Sequence, residues 1–200
     1  MLARMRIVTT PRIAFLRELG SEIAGRYGRG RMIVAVDGPV QSGKTALADD
    51  LGAVLEERGL SVFRARMEGF HRSRAAQDAF GDDTAERYYR YGFDESALRR
   101  VLVEPFRMGG STAFVTRVLD PARDAWVEPK WISGPADAIL VLDGRFVLRE
   151  RLDELWDYRI AVDGEPVDAA DRLAYADRDP RSVADAVVDL ADPERPVRRR

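Results

Sequence analysis

The sequence predicts an α/β fold, a three-layer α/β/α sandwich built on a mostly parallel sheet. Three observations carry that prediction. Residues 32–37 and 138–143 are short apolar runs rich in β-branched residues, the pattern of fully buried strands. The stretch Gly38-Pro39-Val40-Gln41-Ser42-Gly43-Lys44-Thr45 has the spacing G-x-x-x-x-G-K-[ST] and lies between a strand pattern and a helix pattern. Strand and helix patterns then alternate to the end of the chain, as parallel strands joined by crossovers require.

Taken in order, residues 1–10 read as loosely ordered. Residues 11–27 form an amphipathic helix, with Ile13, Leu16, Leu19 and Ile23 on one side, Pro11 at its start and Gly28-Arg29-Gly30 as its stop. After the glycine loop, residues 46–58 carry Leu47, Leu51, Val54 and Leu55 at helical spacing, and residues 60–67 alternate as a second strand. Residues 73–90 are polar and predict a surface loop with one short helix. Tyr88, Tyr89, Tyr91 and Phe93 cluster as either a base-binding pocket or ordinary packing. Asp94 caps a helix that ends before Pro105. Gly109-Gly110-Ser111 is a turn, residues 112–119 favour a strand, and residues 121–135, with three prolines, form an irregular excursion. A second buried strand ends in Asp143. A helix over 145–156, a strand over 158–162, a polar helix over 165–176 and a last strand over 184–190 complete the chain. No repeat or low-complexity block interrupts it, so 1–200 reads as one domain: a helical extension over 1–30, a core over 31–190 and a tail over 191–200.

The glycine loop has a direct chemical reading. Gly38 and Gly43 let successive backbone N–H groups turn inward toward phosphate oxygens, and the helix that follows adds its partial positive end. Gln41, Ser42 and Ala46 complete the nucleotide-binding set. Lys44 would reach the β and γ phosphates, and the Thr45 hydroxyl would take one Mg²⁺ position. Of 32 Lys and Arg residues only Lys44 and Lys130 are lysines, so a compact ammonium has been kept where a planar guanidinium would fit poorly. Asp143, closing a buried strand, has the character of the loop's acidic partner, holding Mg²⁺ directly or through water. The expected cofactors are therefore ATP and Mg²⁺, on a P-loop nucleoside triphosphate hydrolase fold.

Composition narrows the classes. The 200 residues are 46% hydrophobic and 33% charged, with a formal net charge of −2. No basic field calls for nucleic acid, and Arg198-Arg199-Arg200 reads as a solvated tail. The chain has no cysteine and one histidine, which excludes thiolate chemistry and disfavours histidine-rich metal sites. No apolar run reaches membrane-spanning length and no signal peptide is evident, so the cytoplasm is the expected location. No Asn/Thr-Lys-x-Asp motif reads guanine, and no Leu-Ser-Gly-Gly signature marks a transporter ATPase.

With these residues in hand, the chain resembles the uridine kinase-like family of P-loop nucleoside and small-molecule kinases. Beyond the loop, the resemblance rests on Glu68-Gly69-Phe70-His71, Gly92-Phe93-Asp94, Val141-Leu142-Asp143-Gly144 and Ala184-Asp185-Ala186-Val187-Val188-Asp189. It implies transfer of the γ-phosphoryl of ATP to a hydroxyl of a nucleoside or similar small molecule. Glu68 matches the carboxylate, usually Asp, that addresses the acceptor hydroxyl. Lys44, Glu68 and Asp143 are then the catalytic set. His71, Phe93 and Asp94 match substrate contacts, although Asp94 also reads as a helix cap. Two features depart from the family. Residues 119–124 lack the aromatics and histidine of base-recognising members. Only residues 163–183 stand where the family has an arginine-bearing lid, and Arg172, Arg178 and Arg181 align after it. An arginine borrowed from Arg72, Arg74 or Arg145 is one expectation. A nucleotide-binding module without transfer activity is the other. An oligomer is compatible with either.

Overall fold

Strands β1 (Arg31–Asp37), β2 (Val62–Arg66), β3 (Ala138–Asp143), β4 (Tyr158–Val162), β5 (Ala186–Asp189) and β6 (Val197–Arg198) form one sheet in the order β2-β3-β1-β4-β5-β6. The first five are parallel and β6 runs antiparallel to β5. The computed structural model describes residues 7–27 and 29–200, so the expectations for residues 1–6 and for Gly28 lie outside the described residues. β1 is central, flanked by β3 and β4, and is buried from Met32 to Asp37. That position explains its unbroken apolar run.

Alternate residues of the sheet serve two apolar layers. Val34, Val36, Ile139, Val141, Ile160 and Val188 meet helices α1 (Pro11–Arg26) and α2 (Lys44–Glu57) through Leu16, Ile23, Leu47, Leu51 and Leu55. Ile33, Ala35, Leu140, Leu142, Ala161 and Val187 face the opposite layer, which is rich in Phe and Tyr. That layer includes α3 (Ala85–Tyr91) and α4 (Ala169–Asp177), which pack against each other. The three-layer sandwich read from the sequence is thus the observed architecture.

Several local expectations need correction. Residues 112–119 do not form a strand: Phe114 makes a single bridge to Ile132, and Leu119–Asp120 pairs only with Ala125–Trp126. Backbone donors there go to helical turns, Val115 to the Val101 carbonyl and Val118 to that of Gly69, while the Phe114 ring packs edge-on against Phe63 and Phe106. The segment caps the sheet instead of extending it. The helix expected over 145–156 is a turn followed by a short 3-10 stretch, Glu150–Leu155. The N–H groups of Phe146 and Leu148 bond to the Asp37 carboxylate, so they are lost to a helical ladder. Pro105 does not follow a helix end. Glu95–Ala97 passes through a π-turn, Leu98–Val103, into Glu104–Met108, and the Glu104 N–H reaches back five residues to Arg99. The widened turn sits where proline's missing N–H would break an ordinary ladder. Residues 73–90 hold two short helices, with Ser73 and Thr84 as side-chain caps. The terminal arginines are not a free tail: Arg198 pairs with Glu22 and Arg199 with Asp189.

Candidate functional site

The glycine loop leaves β1 at Asp37 and enters α2 at Lys44. Gly43 has φ of 81° and Gln41 of 61°, left-handed values that curl the backbone around a hollow. A Cβ at Gly38 would lie 2.6 Å from Ser42 Oγ and 3.0 Å from Val162 Cβ, so only glycine fits there. No side chain caps the start of α2, and a first helical turn leaves N–H groups without helical partners. Ser42 Oγ is buried and makes no hydrogen bond. Lys44 is 8% exposed, and its ammonium donates to the Pro39 carbonyl at 3.1 Å, within the loop. Unpartnered donors, a left-handed turn and an inward ammonium together make a cradle for phosphate.

Asp37 braces the base of this loop. Its carboxylate accepts from the N–H groups of Gly38 at 2.7 Å, Phe146 at 3.2 Å and Leu148 at 2.8 Å. Burial pushes it up to about 6, against the pull of those donors and of Lys44. Asp171, also buried, accepts from the Val40 N–H at 3.2 Å and so ties α4 to the same loop.

Thr45 and Asp143, the two residues expected beside a metal, lie together, with the Thr45 hydroxyl donating to Asp143 Oδ2 at 2.6 Å. These hard oxygen donors suit Mg²⁺. Among the described residues no cluster of three or more potential metal ligands exists, so a metal here would take the rest of its shell from phosphate oxygens and water. The other Asp143 oxygen accepts from Arg64 at 2.6 Å. Arg64 is held in turn by Asp49, at 3.0 Å and 2.9 Å. Sequence reasoning missed Arg64, Asp37 and Asp171 as parts of this site. Only Asp37 carried a signal, a carboxylate closing a buried strand directly before the loop.

Glu68 follows β2, half-buried in a short 3-10 turn. Burial raises its carboxyl above the usual range, the Asp143 charge adds to the rise, and Lys44 and Arg66 oppose it. Glu68 therefore shares an electrostatic neighbourhood with Lys44 and Asp143. His71, Phe93 and Asp94 also come together, through a bridge between His71 and Phe93 and ring centroids 4.4 Å apart. They turn inward. Phe93 is 2% exposed, His71 Nε2 lies 3.2 Å from the Tyr88 hydroxyl, and Asp94 accepts from the Ala97 N–H at 2.9 Å as a helix cap. Arg72 reinforces the turn by donating to the Tyr91 and Phe93 carbonyls.

The segment between β4 and β5 folds as α4 and a short turn of helix, Pro180–Val183. Its arginines are engaged: Arg178 with Asp153 at 2.6 Å, and Arg181 with Asp179 at 2.8 Å and Asp163 at 3.1 Å. Arg172 is exposed. Arg145 is clamped by Asp168 and Asp171, both at 2.7 Å, with its guanidinium over Tyr88 and Phe146.

Solved structures of other proteins share this architecture. A Bacillus stearothermophilus protein described as a possible uridine kinase superposes with a TM-score of 0.75 at 23% identity, over 88% of this chain and 96% of that one. The chain has the fold of the uridine kinase-like P-loop kinases. A Silicibacter sp. TM1040 protein, provisionally described as a fructose transport system kinase, gives 0.63 at 23% identity over 84% of this chain and 86% of that one. A Saccharomyces cerevisiae protein provisionally described as a P-loop containing kinase with a circular permutation gives 0.55 at 14% identity over 76% of this chain and 82% of that one. No protein-family model matches the sequence, and the search of curated proteins returned no match. Within the kinase-like fold, the glycine loop, Glu68 and Asp143 all lie at the carboxyl ends of the parallel strands, where ligands bind in open α/β sheets. Among the described residues no helix is long and apolar enough to cross a membrane.

Proposed function

We propose that the chain is an ATP- and Mg²⁺-dependent phosphotransferase that moves the γ-phosphoryl to a hydroxyl of a small molecule, with residues 31–190 as its catalytic core. The observation that carries this reading is geometric: the Lys44 ammonium is folded into the loop, Thr45 meets Asp143 at 2.6 Å, and Glu68 follows the strand end paired with Asp143. Gly38, Gln41, Ser42, Gly43 and Ala46 would bind the nucleotide phosphates with Lys44 and Thr45. Mg²⁺, held by Thr45 and Asp143, would neutralise charge building on the β and γ phosphates. Lys44 would draw the γ-phosphoryl into line. Glu68, with its raised affinity for a proton, would take the proton of the attacking hydroxyl. The test is ADP release by the purified chain with an acceptor panel, against a Lys44→Ala control. Acceptor-stimulated turnover that falls at least about 100-fold in Lys44→Ala supports transfer. Turnover equal to the control refutes it.

A second reading, a nucleotide-binding module without transfer, is favoured by one observation. Arg145, Arg178 and Arg181 are all held by carboxylates. An arginine supplied to the transferring phosphoryl is worth about 10³-fold or more in rate. ATP binding without any phosphorylated product would select this reading.

A further inference from the structure

Two observations about the acceptor side point the same way. First, the residues that a nucleoside would contact are occupied with one another. Phe93 is buried, His71 meets Tyr88, and Asp94 caps a helix and faces Arg72 at 3.8 Å. Second, an open cavity of about 380 Å³ adjoins Glu68 and contains none of those three residues. Its wall carries Arg64, Arg66, Thr116 and Arg117.

That wall holds three arginines and three carboxylates, but they are not matched one to one. Arg64 is held by both Asp49 and Asp143, whereas Arg66 has only the Asp49 oxygen left, a half-exposed contact at 3.1 Å. Asp120 is turned to its own loop, accepting from the Ala122 and Arg123 N–H groups. Arg117 is exposed and makes no hydrogen bond or ion pair among the described residues. Its stem is nevertheless fixed. A Cβ at Gly69 would fall 2.7 Å from Arg117 Cβ, so a missing side chain beside Glu68 is what lets Arg117 approach. Arg66, weakly paired, and Arg117, without a partner among the described residues, thus line a cavity that also holds the candidate base. Planar forks of this kind match carboxylate and phosphate oxygens.

We propose that the phosphoryl acceptor is a hydroxy compound bearing a carboxylate or a phosphate, and that Arg66 and Arg117 bind that anion in the cavity beside Glu68. This rests on the transferase reading. In the step it serves, the acceptor oxygen forms a bond to the γ-phosphorus as the bond from that phosphorus to the β–γ bridging oxygen breaks. The hydroxyl proton passes to Glu68, and ADP leaves with the electron pair.

The test uses matched probes that differ in the anion: glycerate against glycerol, and ribose 5-phosphate against ribose, with uridine as the uncharged nucleoside. Calorimetry without nucleotide reads binding, and ADP release with ATP and Mg²⁺ reads turnover. The expected result is that the charged member of one pair binds at least about tenfold tighter than its neutral partner. Arg117→Gln should remove most of that preference, because a charge-assisted hydrogen bond is lost, while Lys44→Ala leaves it. Which pair responds separates carboxylate from phosphate. In turnover, Arg117→Gln and Arg66→Gln should raise KM at least about tenfold with kcat changed much less. Neither pair showing a charge preference overturns the proposal, as does uridine turnover with a KM that ignores both arginines. Arginine-dependent anion binding without turnover leaves the site standing and refutes transfer instead.

Discussion

His71 offers a sharp reading of how closed the aromatic turn is. It is the only histidine in 200 residues, so its titration is spectroscopically isolated. Burial, with the Arg145 cation adding, pushes its imidazole down to about 4 from the ordinary 6.5. Between those values the unfolded chain binds a proton that the folded chain refuses. The stability held by neutral His71 is therefore present above pH 6.5 and lost as pH falls toward 4. At about 1.4 kcal/mol per pH unit, the whole window is bounded at roughly 3 kcal/mol, and a fall from about pH 7 to 4.5 should remove about 2 kcal/mol of it. Asp37, raised to about 6 by burial, acts with the opposite sign, its contribution declining as pH rises. Comparing wild type with His71→Gln cancels it. Urea unfolding at both pH values should show wild type losing about 2 kcal/mol more than the variant, and NMR should place the imidazole midpoint near 4. A midpoint near the ordinary value, with parallel pH profiles, would refute the closed turn and return His71 to an open substrate pocket.

Three further outcomes follow from the geometry of the loop. Gly38→Ala drives a methyl group against Ser42 Oγ and Val162, and should cost about 1–3 kcal/mol in chemical denaturation. Arg64→Met removes the cation bound to Asp143. It should lower the Mg²⁺ concentration that half-saturates ATP turnover several-fold, and an unchanged Mg²⁺ profile would disprove competition at that carboxylate. Arg145→Leu strands buried Asp171 without its cation and should destabilise by about 3–5 kcal/mol, read as a lowered unfolding midpoint.

The parts legible in the sequence are those whose cause is local. Residues 138–143 announce a buried strand because every side chain is apolar up to Asp143, and the observed strand has those bounds. Lys44, Thr45 and Asp143 could be named because the loop spacing is stringent and its partner closes a buried strand. Residues 145–156 misled because helical spacing cannot show that Asp37, more than 100 residues earlier, would claim the Phe146 and Leu148 N–H groups. Residues 112–119 misled because β-branched and aromatic residues suit a sheet cap as well as a strand. Arg64 was invisible for a related reason. One arginine among many on a strand carries no mark of the two carboxylates, Asp49 and Asp143, that it will meet.

The short antiparallel β6 bears on how the sheet ends. A rim strand with bare N–H and C=O groups invites another chain to anneal alongside it. On one flank that role falls to Val197–Arg198, which brings the Arg198 and Arg199 guanidiniums to the perimeter. On the opposite flank β2 presents Arg64 and Arg66. A second copy sliding in rim-to-rim would have to strip water from these guanidiniums and from the carboxylates that pair with them. Ribbon-like self-stacking is therefore opposed at either flank by a desolvation cost.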